Sequence, residues 1–389
     1  MRNATYESYI KSVQLYPNTG QEDESLDPSV LRLGDPYPLR LSFDDLADKH
    51  EDYYTYFIPC DEKWKEIPIP HIDFIQGNND FQITNFTYYT GTAIPYVHYT
   101  QYLPPITRAG NYVLVVYRRL DKEDIVLSRR LMIVRPELQI KEQVVAPFRT
   151  EKKYQNTHHQ LNLKISYDPN SISSPVQTLK IYIRQNYRWD KVVHPTRPSR
   201  VGSGSIEFDI LSSILFPSPR AFRGFDIRPS NFRGKGVARV EQKNFSHAYL
   251  YTDRDISSDP YIRQPDLNGR YLLAQKPKAA SLKADYFMVS FTLKTPKQKE
   301  DVYLLGSFNS FVKDPMNRMI YQEETTNYTQ TLYLKQGYYD YVYETSSGKS
   351  FSGYFFQSQQ VYEVFIYYKP LQQPQNTELI GYKRFTNRP

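Results

Sequence analysis

The sequence predicts an all-β chain built as three consecutive immunoglobulin-like β-sandwich domains. Three observations predict it. Apolar residues recur at every second position in many short runs, turn residues separate those runs, and 36 Tyr and 21 Phe are spread through 389 residues. A period of two belongs to a strand with one face in a core, and aromatic side chains fit a pleated, half-buried surface. At roughly 100 to 200 residues per domain the length allows two or three cores. The division expected is 1–135, 136–280 and 281–389.

In the first part, residues 1–30 make a mixed start. Tyr6, Tyr9, Ile10 and Val13 precede the polar run NTGQEDES, and a frayed arm is expected. Strands are expected at 39–43, 53–57, 81–86, 96–99, 112–117 (YVLVVY) and 131–134 (LMIV), in a domain of about seven strands. Pro68 and Pro70 keep their stretch at an edge or in a loop.

Pro136 marks a boundary, after which 161–165 and 179–183 alternate as strands. VVHPTRPSR and VGSGS read as loops, and 208–216 as one or two helical turns. HAYLY from His247 and GRYLLA from Gly269 close the middle domain in this reading.

In the last part, Val302 to Leu305 form a strand, Leu332 and Leu334 alternate along a second, and Tyr339, Tyr341 and Tyr343 line one face of a third. PKQKE from Pro296 is a surface loop, and VYEVFIYY from Val361 is the final strand. Gly306 is expected to break the chain by taking positive φ. This stretch is similar to an immunoglobulin-like sugar-binding module of the glycogen-binding kind. Such modules stack sugars on exposed tryptophans, but Phe311 stands at the expected place and no Trp follows Trp189.

Net charge is +7, and its placement is uneven. From Arg184 to Arg239 there are eleven Lys and Arg against Asp190, Glu207, Asp209 and Asp226, a surplus of seven. Such a segment suits an acidic partner, a nucleic acid or a solvated face. Within it Arg220, Arg223, Arg228 and Arg233 interleave with Phe222, Phe225 and Phe232. Arginine and aromatic residues anchor protein interfaces. The alternative places Phe222 and Phe225 in the core, with the arginines paired to Asp226 and its neighbours. Nucleic-acid binding would call for further fold signatures, which are absent.

Catalytic patterns fail. There is no Gly-x-Ser-x-Gly, no His-Glu-x-x-His and no complete dinucleotide fingerprint. His158 and His159, adjacent in a strand, point to opposite faces, which favours solvent or core hydrogen bonds over a shared metal. Asp44-Asp45 and Asp61-Glu62 read as loop residues. Cys60 is the single cysteine, so no internal disulfide forms. The chain has no run of the ~18 apolar residues that a membrane helix needs. The expectation is a non-enzymatic protein without catalytic residues, cofactor or metal.

Several segments in order resemble the periplasmic plug protein family of the type IX secretion system in Bacteroidetes. They are LSFDDL from Leu41, YTYFIPCDEKW from Tyr54, YVHY from Tyr96, GNYVLVVY from Gly110, RRLMIV from Arg129, HQ at His159, QNYRWD, and FRGFD from Phe222. ADYFMVSFTL from Ala284, VYLLGSFN, LKQGYYDYVYE and VFIYYK continue the pattern. One departure is Arg220-Ala221, where the family usually carries Asn-Glu. The resemblance implies a monomeric periplasmic protein, exported with loss of a signal peptide. It would sit one per translocon on the periplasmic opening of the giant outer-membrane β-barrel, without nucleic acid and without inserting into lipid. Trp189, Arg220, Phe222, Arg223, Phe225 and Arg228 are the expected partner contacts. A cell-envelope carbohydrate-binding protein, or a glycoside-processing enzyme with an auxiliary third domain, are the competing readings.

Overall fold

The computed structural model describes residues 1–47, 49–147, 152–209, 214–228, 233–242, 245–274 and 284–387, and its described residues form three two-sheet sandwiches. In the first, one sheet orders Ala4–Thr5, Asp121–Val134, Gly110–Arg118, Tyr53–Cys60 and Phe81–Gln82, with Val30–Arg32 parallel to Asp121–Val134. The facing sheet orders Ile10–Pro17, Leu39–Asp45, Tyr96–Tyr102 and Asn85–Tyr89. Leu41, Phe43 and Tyr99 meet Phe57, Leu114, Val116 and Leu131 between them.

The start of the chain corrects the expectation of a frayed arm. Ala4–Thr5 pairs with Asp121–Val134, and Ile10–Pro17 pairs with Leu39–Asp45. The N-terminal ammonium donates to the Trp64 carbonyl at 2.6 Å. The register slips between Lys11 and Gln14, where Ser12 takes φ 55°, and this bulge interrupts the alternation that would have marked a strand.

The second sandwich sets Gln139–Val145, His158–Ser166, Ser205–Phe208 and Arg200–Gly202, with Leu215–Pro217, against a sheet of Arg188–Val193, Leu179–Gln185, Val361–Tyr368 and Glu378–Thr386. VGSGS is therefore a hairpin turning at Gly204, φ 76°, and not a plain loop. Phe208 and Phe216 lie on strands where helical turns were expected; residues 210–213 between them lie outside the described residues.

The third sandwich is inserted into the second. Arg223–Asp226, Tyr271–Leu273 and Val302–Leu305 pair with Gly337–Thr345, facing a sheet of Val237–Gln242, Ser246–Leu250, Tyr286–Lys294, Asn327–Lys335 and Ile320–Gln322. The sheets thus depart from the expected division at 136–280 and 281–389. The described strands between Arg223 and Leu273 belong to the third sandwich, and Val361–Tyr368 and Glu378–Thr386 return to the second. Alternation identifies a strand, but not the sheet it joins.

Tyr339, Tyr341 and Tyr343 share one buried face, as expected, with Phe225 and Phe291 around them. Gly306 is extended, φ −169°, in place of the expected positive φ. Glycine is required there for space: a Cβ would stand 2.7 Å from the Asp340 carbonyl oxygen and closer still to the Phe308 ring.

All three sandwiches touch one another. Along Gly110–Arg118, Tyr112, Leu114 and Val116 face the first core, while Val113 and Val115 face outward onto Phe365, Tyr367 and Leu379 of the second sandwich. Two buried faces explain the uninterrupted apolar runs YVLVVY, LMIV and VFIYY. Tyr89 and Tyr96 meet Tyr286 between first and third, and Phe222 meets Leu305, Phe311 and Val342 where the second gives way to the third.

Candidate partner interface

The basic segment holds all six of the expected contact residues, and the structure turns most of them inward. Phe225 is fully buried, stacked on Tyr339 with centroids 5.3 Å apart, because its strand presents that position to the core. Phe222 is buried against Phe311. Neither offers a face to a partner, which corrects that part of the expectation. Arg223 pairs with Asp253 at 2.6 Å, and the hydroxyls of Tyr341 and Tyr343 donate to the same carboxylate at 2.8 and 2.9 Å. Arg220 donates to the carbonyls of Ser352 (3.0 Å), Asp259 (2.7 Å) and Pro260 (3.1 Å) and lies 4.6 Å from the Phe355 ring centroid. Of the six, Arg228 has the most open side chain, 43% exposed even while held bidentately by Asp226.

Trp189 belongs to a ladder of alternating rings and cations. Arg130 lies 4.4 Å from Trp64 and 4.9 Å from Trp189; Arg184 lies 4.3 Å from Trp189 and 5.9 Å from Tyr187; Arg270 lies 4.4 Å from Tyr187. Each such contact contributes about 0.5–1 kcal/mol where exposed and about 2 kcal/mol where shielded from water. The ladder takes two rungs from the first sandwich, three from the second and one from the third. The two-residue turn Asn186-Tyr187, both at positive φ, sets Tyr187 and the following Arg188 in place.

Buried ion pairs absorb much of the remaining charge. Arg184 pairs with Glu363 at 2.6 Å, and Arg188 grips Glu344 at 2.6 and 2.9 Å and Asp190 at 2.7 Å. Burial pushes the Glu344 carboxyl up, but Arg188, Lys191 and Lys313 outweigh it and hold the group down to about 2. Lys369 bridges to Glu62 at 2.8 Å, tying the second sandwich to the first.

Asp44 and Asp45 correct another expectation, for both lie on a strand and are buried. Asp44 accepts from Lys335 at 2.7 Å and from the Tyr286 hydroxyl at 2.6 Å, with His98 Nδ1 at 2.5 Å. Burial raises its pKa, and Lys335 and His98 together bring it below the usual aspartate value. Lys335 also lies 4.4 Å from the Tyr96 ring. Lys335, Tyr286 and His98 escape the sequence reading because Asp44 occupies the outward position beside Phe43, where a charge reads as solvated. Only the third sandwich, lying there, buries it.

In the same sandwich Asp340 Oδ2 accepts from Leu267 N at 2.5 Å and Gly269 N at 3.1 Å, while its Oδ1 is buried without a partner among the described residues. Burial, then the neighbouring Asp266, raises its pKa to about 7.

His159 is buried between the Tyr362 hydroxyl at 2.7 Å and the Phe356 carbonyl at 2.6 Å, the core one of the two roles left open for it, and burial lowers its pKa. Cys60 is buried and its thiol pushed up to about 12. Among the described residues no group of three His, Cys, Asp or Glu side chains is placed to hold a metal. Phe311, at the position of the expected sugar platform, lies buried beneath Arg188, 4.6 Å from its ring centroid.

Residues 10–135 match the family model described as Type 9 secretion system plug protein 1st domain. This chain carries a type 9 secretion plug domain. That domain is the first sandwich, from the bulged Ile10–Pro17 strand to one residue past Asp121–Val134. It supplies Trp64 and Arg130 to the ladder, Glu62 to the bridge and Asp44 to the charged cluster. The plug family is a component of secretion and not a known enzyme family, and its domain implies a cell-envelope protein associated with that system. The whole fold recurs in the crystal structure of a hypothetical protein from Parabacteroides merdae ATCC 43184. That chain is 23% identical, with 99% of each chain covered and a TM-score of 0.91. Comparison with curated proteins gives no match. Among the described residues no helix is long and apolar enough to cross a membrane.

Proposed function

We propose that the chain is a non-enzymatic periplasmic plug that docks on the periplasmic opening of the type IX outer-membrane β-barrel translocon and closes it when no substrate passes. The observation that carries this reading is the plug domain itself, clamped to both other sandwiches. An apolar sheet face, the ring-and-cation ladder and the buried Asp44–Lys335 pair favour motion of the three blocks as one body. A body that must obstruct a pore benefits from such rigidity, since bending under load would leak.

Gating requires a difference in affinity. The plug must bind the empty barrel more tightly than the occupied one, and a contact of roughly 1,600 Å² is enough for a stable complex. Of the residues expected at that contact, Arg228 remains as an exposed contributor. Replacing Arg220, Arg223 and Arg228 together by Glu is a poor test, because Arg220 and Arg223 hold loops and the Asp253 cluster in place. The carbohydrate reading loses its platform with Phe311 buried.

The test is affinity purification of the chain from a native envelope with mass spectrometry, paired with permeability of a deletion strain to large solutes. Recovery of the barrel and a leaky deletion strain are expected. A tight membrane without the chain, and no barrel recovered, would end the proposal.

A further inference from the structure

Between the first and third sandwiches lies an open cleft of about 270 Å³. Its walls are the segment Arg2–Val13 on one side, with the loop around Phe308–Asn317 and the end of Asn327–Lys335 on the other. Three large side chains stand bare among its lining residues: Tyr6, Met316 and Tyr333 are 55, 57 and 42% exposed. Aromatic residues and Met are the side chains enriched at protein contacts, and Met adapts its shape to what it meets.

The charges in the cleft are unbalanced. Lys11 lines it with no ion pair or hydrogen bond from its ammonium among the described residues, and burial lowers its pKa. Arg129 donates only to neutral oxygens: the carbonyls of Ala4 at 2.7 Å and Ser128 at 2.8 Å, and the Thr5 hydroxyl at 3.1 Å. The acids in the lining are already engaged. Glu7 is held by Arg118 at 2.8 Å, and Asp314 caps Asn317 N at 3.1 Å. By contrast Arg184 and Arg188, buried elsewhere in the molecule, and Lys335, itself a lining residue, each have a carboxylate. A cation drawn out of water without one is costly, and a ligand that supplies the carboxylate recovers that cost.

We infer that this cleft receives a carboxylate-bearing, partly apolar extended peptide segment of a partner protein, its acid meeting Lys11 and Arg129 and its apolar side chains covering Tyr6, Met316 and Tyr333. The volume lies near the lower limit of small-molecule sites, about 300 Å³, and suits inserted side chains better than a folded domain. This rests on the plug reading, in which the partner belongs to the secretion apparatus.

The test uses the full chain and a fluorescein-labelled peptide of alternating Glu and Leu, with an alternating Lys and Leu peptide as counterpart, read by fluorescence anisotropy. The acidic peptide should bind, more weakly at high salt, and the basic one should not. Lys11→Glu should weaken binding at least about tenfold, as reversal of a contact charge does. Tyr333→Ser, on an exposed position that leaves the core intact, should weaken it several-fold. Failure of the acidic peptide to bind, equal binding of both peptides, or indifference to both substitutions overturns the inference. Binding to anionic lipid vesicles with the same Lys11 dependence also overturns it, in favour of a membrane surface. In cells, barrel recovery by wild type and equally by Lys11→Glu refutes the cleft while leaving the plug reading standing. Loss of recovery only in the variant supports the cleft, and no recovery by wild type removes the plug reading itself.

Discussion

The first sandwich meets its two neighbours by different physics. Against the second it lays a whole sheet face, with Val113, Val115, Met132 and Val134 set on Phe365, Tyr367 and Leu379. Against the third it offers a few tyrosines around one buried charge, Asp44. The apolar face is non-directional, and its strength follows the area removed from water. The charged contact depends on geometry and protonation, because removing one partner strands the other in a dry site. The second joint is therefore the more sensitive of the two to pH and to the loss of a single charged partner.

Substitution sharpens the contrast most strongly at Asp44. Asp44→Ala leaves Lys335 buried and alone, and should cost about 3–5 kcal/mol in urea unfolding. The double change Asp44→Leu with Lys335→Met should restore much of that, since neither charge then remains. At the apolar joint, Leu379→Ala should cost about 2–4 kcal/mol through the cavity it leaves, by the same measurement at any pH between 5 and 8.

Acid should separate the two joints further. Asp44 and Glu344 have folded-state pKa values below their unfolded ones. Their contribution is thus full above the unfolded carboxylate range, and is lost as pH falls through the folded values, about 2 for Glu344. Thermal melts of Asp44→Ala should accordingly show a shallower loss of stability toward acid than wild type, whereas Leu379→Ala should parallel wild type.

Asp340 works in the opposite direction. Its folded pKa of about 7 lies above the ordinary 3.8, so its contribution is present at low pH and is lost as pH rises between those values. Asp340→Asn can keep the acceptor for Leu267 and Gly269 and removes the charge. It should flatten that slope and raise stability above pH 7 by about 1 kcal/mol, measured as urea midpoints across pH. The smallest effect is expected at Arg228→Ala, where an exposed pair with Asp226 should change stability by under about 0.5 kcal/mol.

How much of this the sequence disclosed depends on the kind of information asked for. The strands at Leu39–Asp45, Tyr53–Cys60, Gly110–Arg118 and Gly337–Thr345 were legible because side-chain direction alternates with period two. Ile10–Pro17 was not, since a bulge at Ser12 breaks the period. Sheet membership was hidden for a different reason. Nothing local in VYEVFIYY distinguishes pairing with Leu179–Gln185, which occurs, from pairing with the nearby Gly337–Thr345. The basic segment misled because charge counts ignore partners: Arg184 and Arg188 find theirs at Glu363 and Glu344, some 150 or more positions along the chain. The uninterrupted apolar run YVLVVY did announce that both faces of its strand are covered, and the layered joint is what covers them.

The insertion of the third sandwich into the second bears on biogenesis. Strands Val361–Tyr368 and Glu378–Thr386 emerge from the ribosome only after the inserted third sandwich, yet they form half of a sheet begun at Leu179. The middle block must wait half-built, its apolar Ile181 and Ile183 uncovered, until the tail arrives. A nascent chain therefore finishes its inserted block before its middle one, and chaperone demand should peak in that interval.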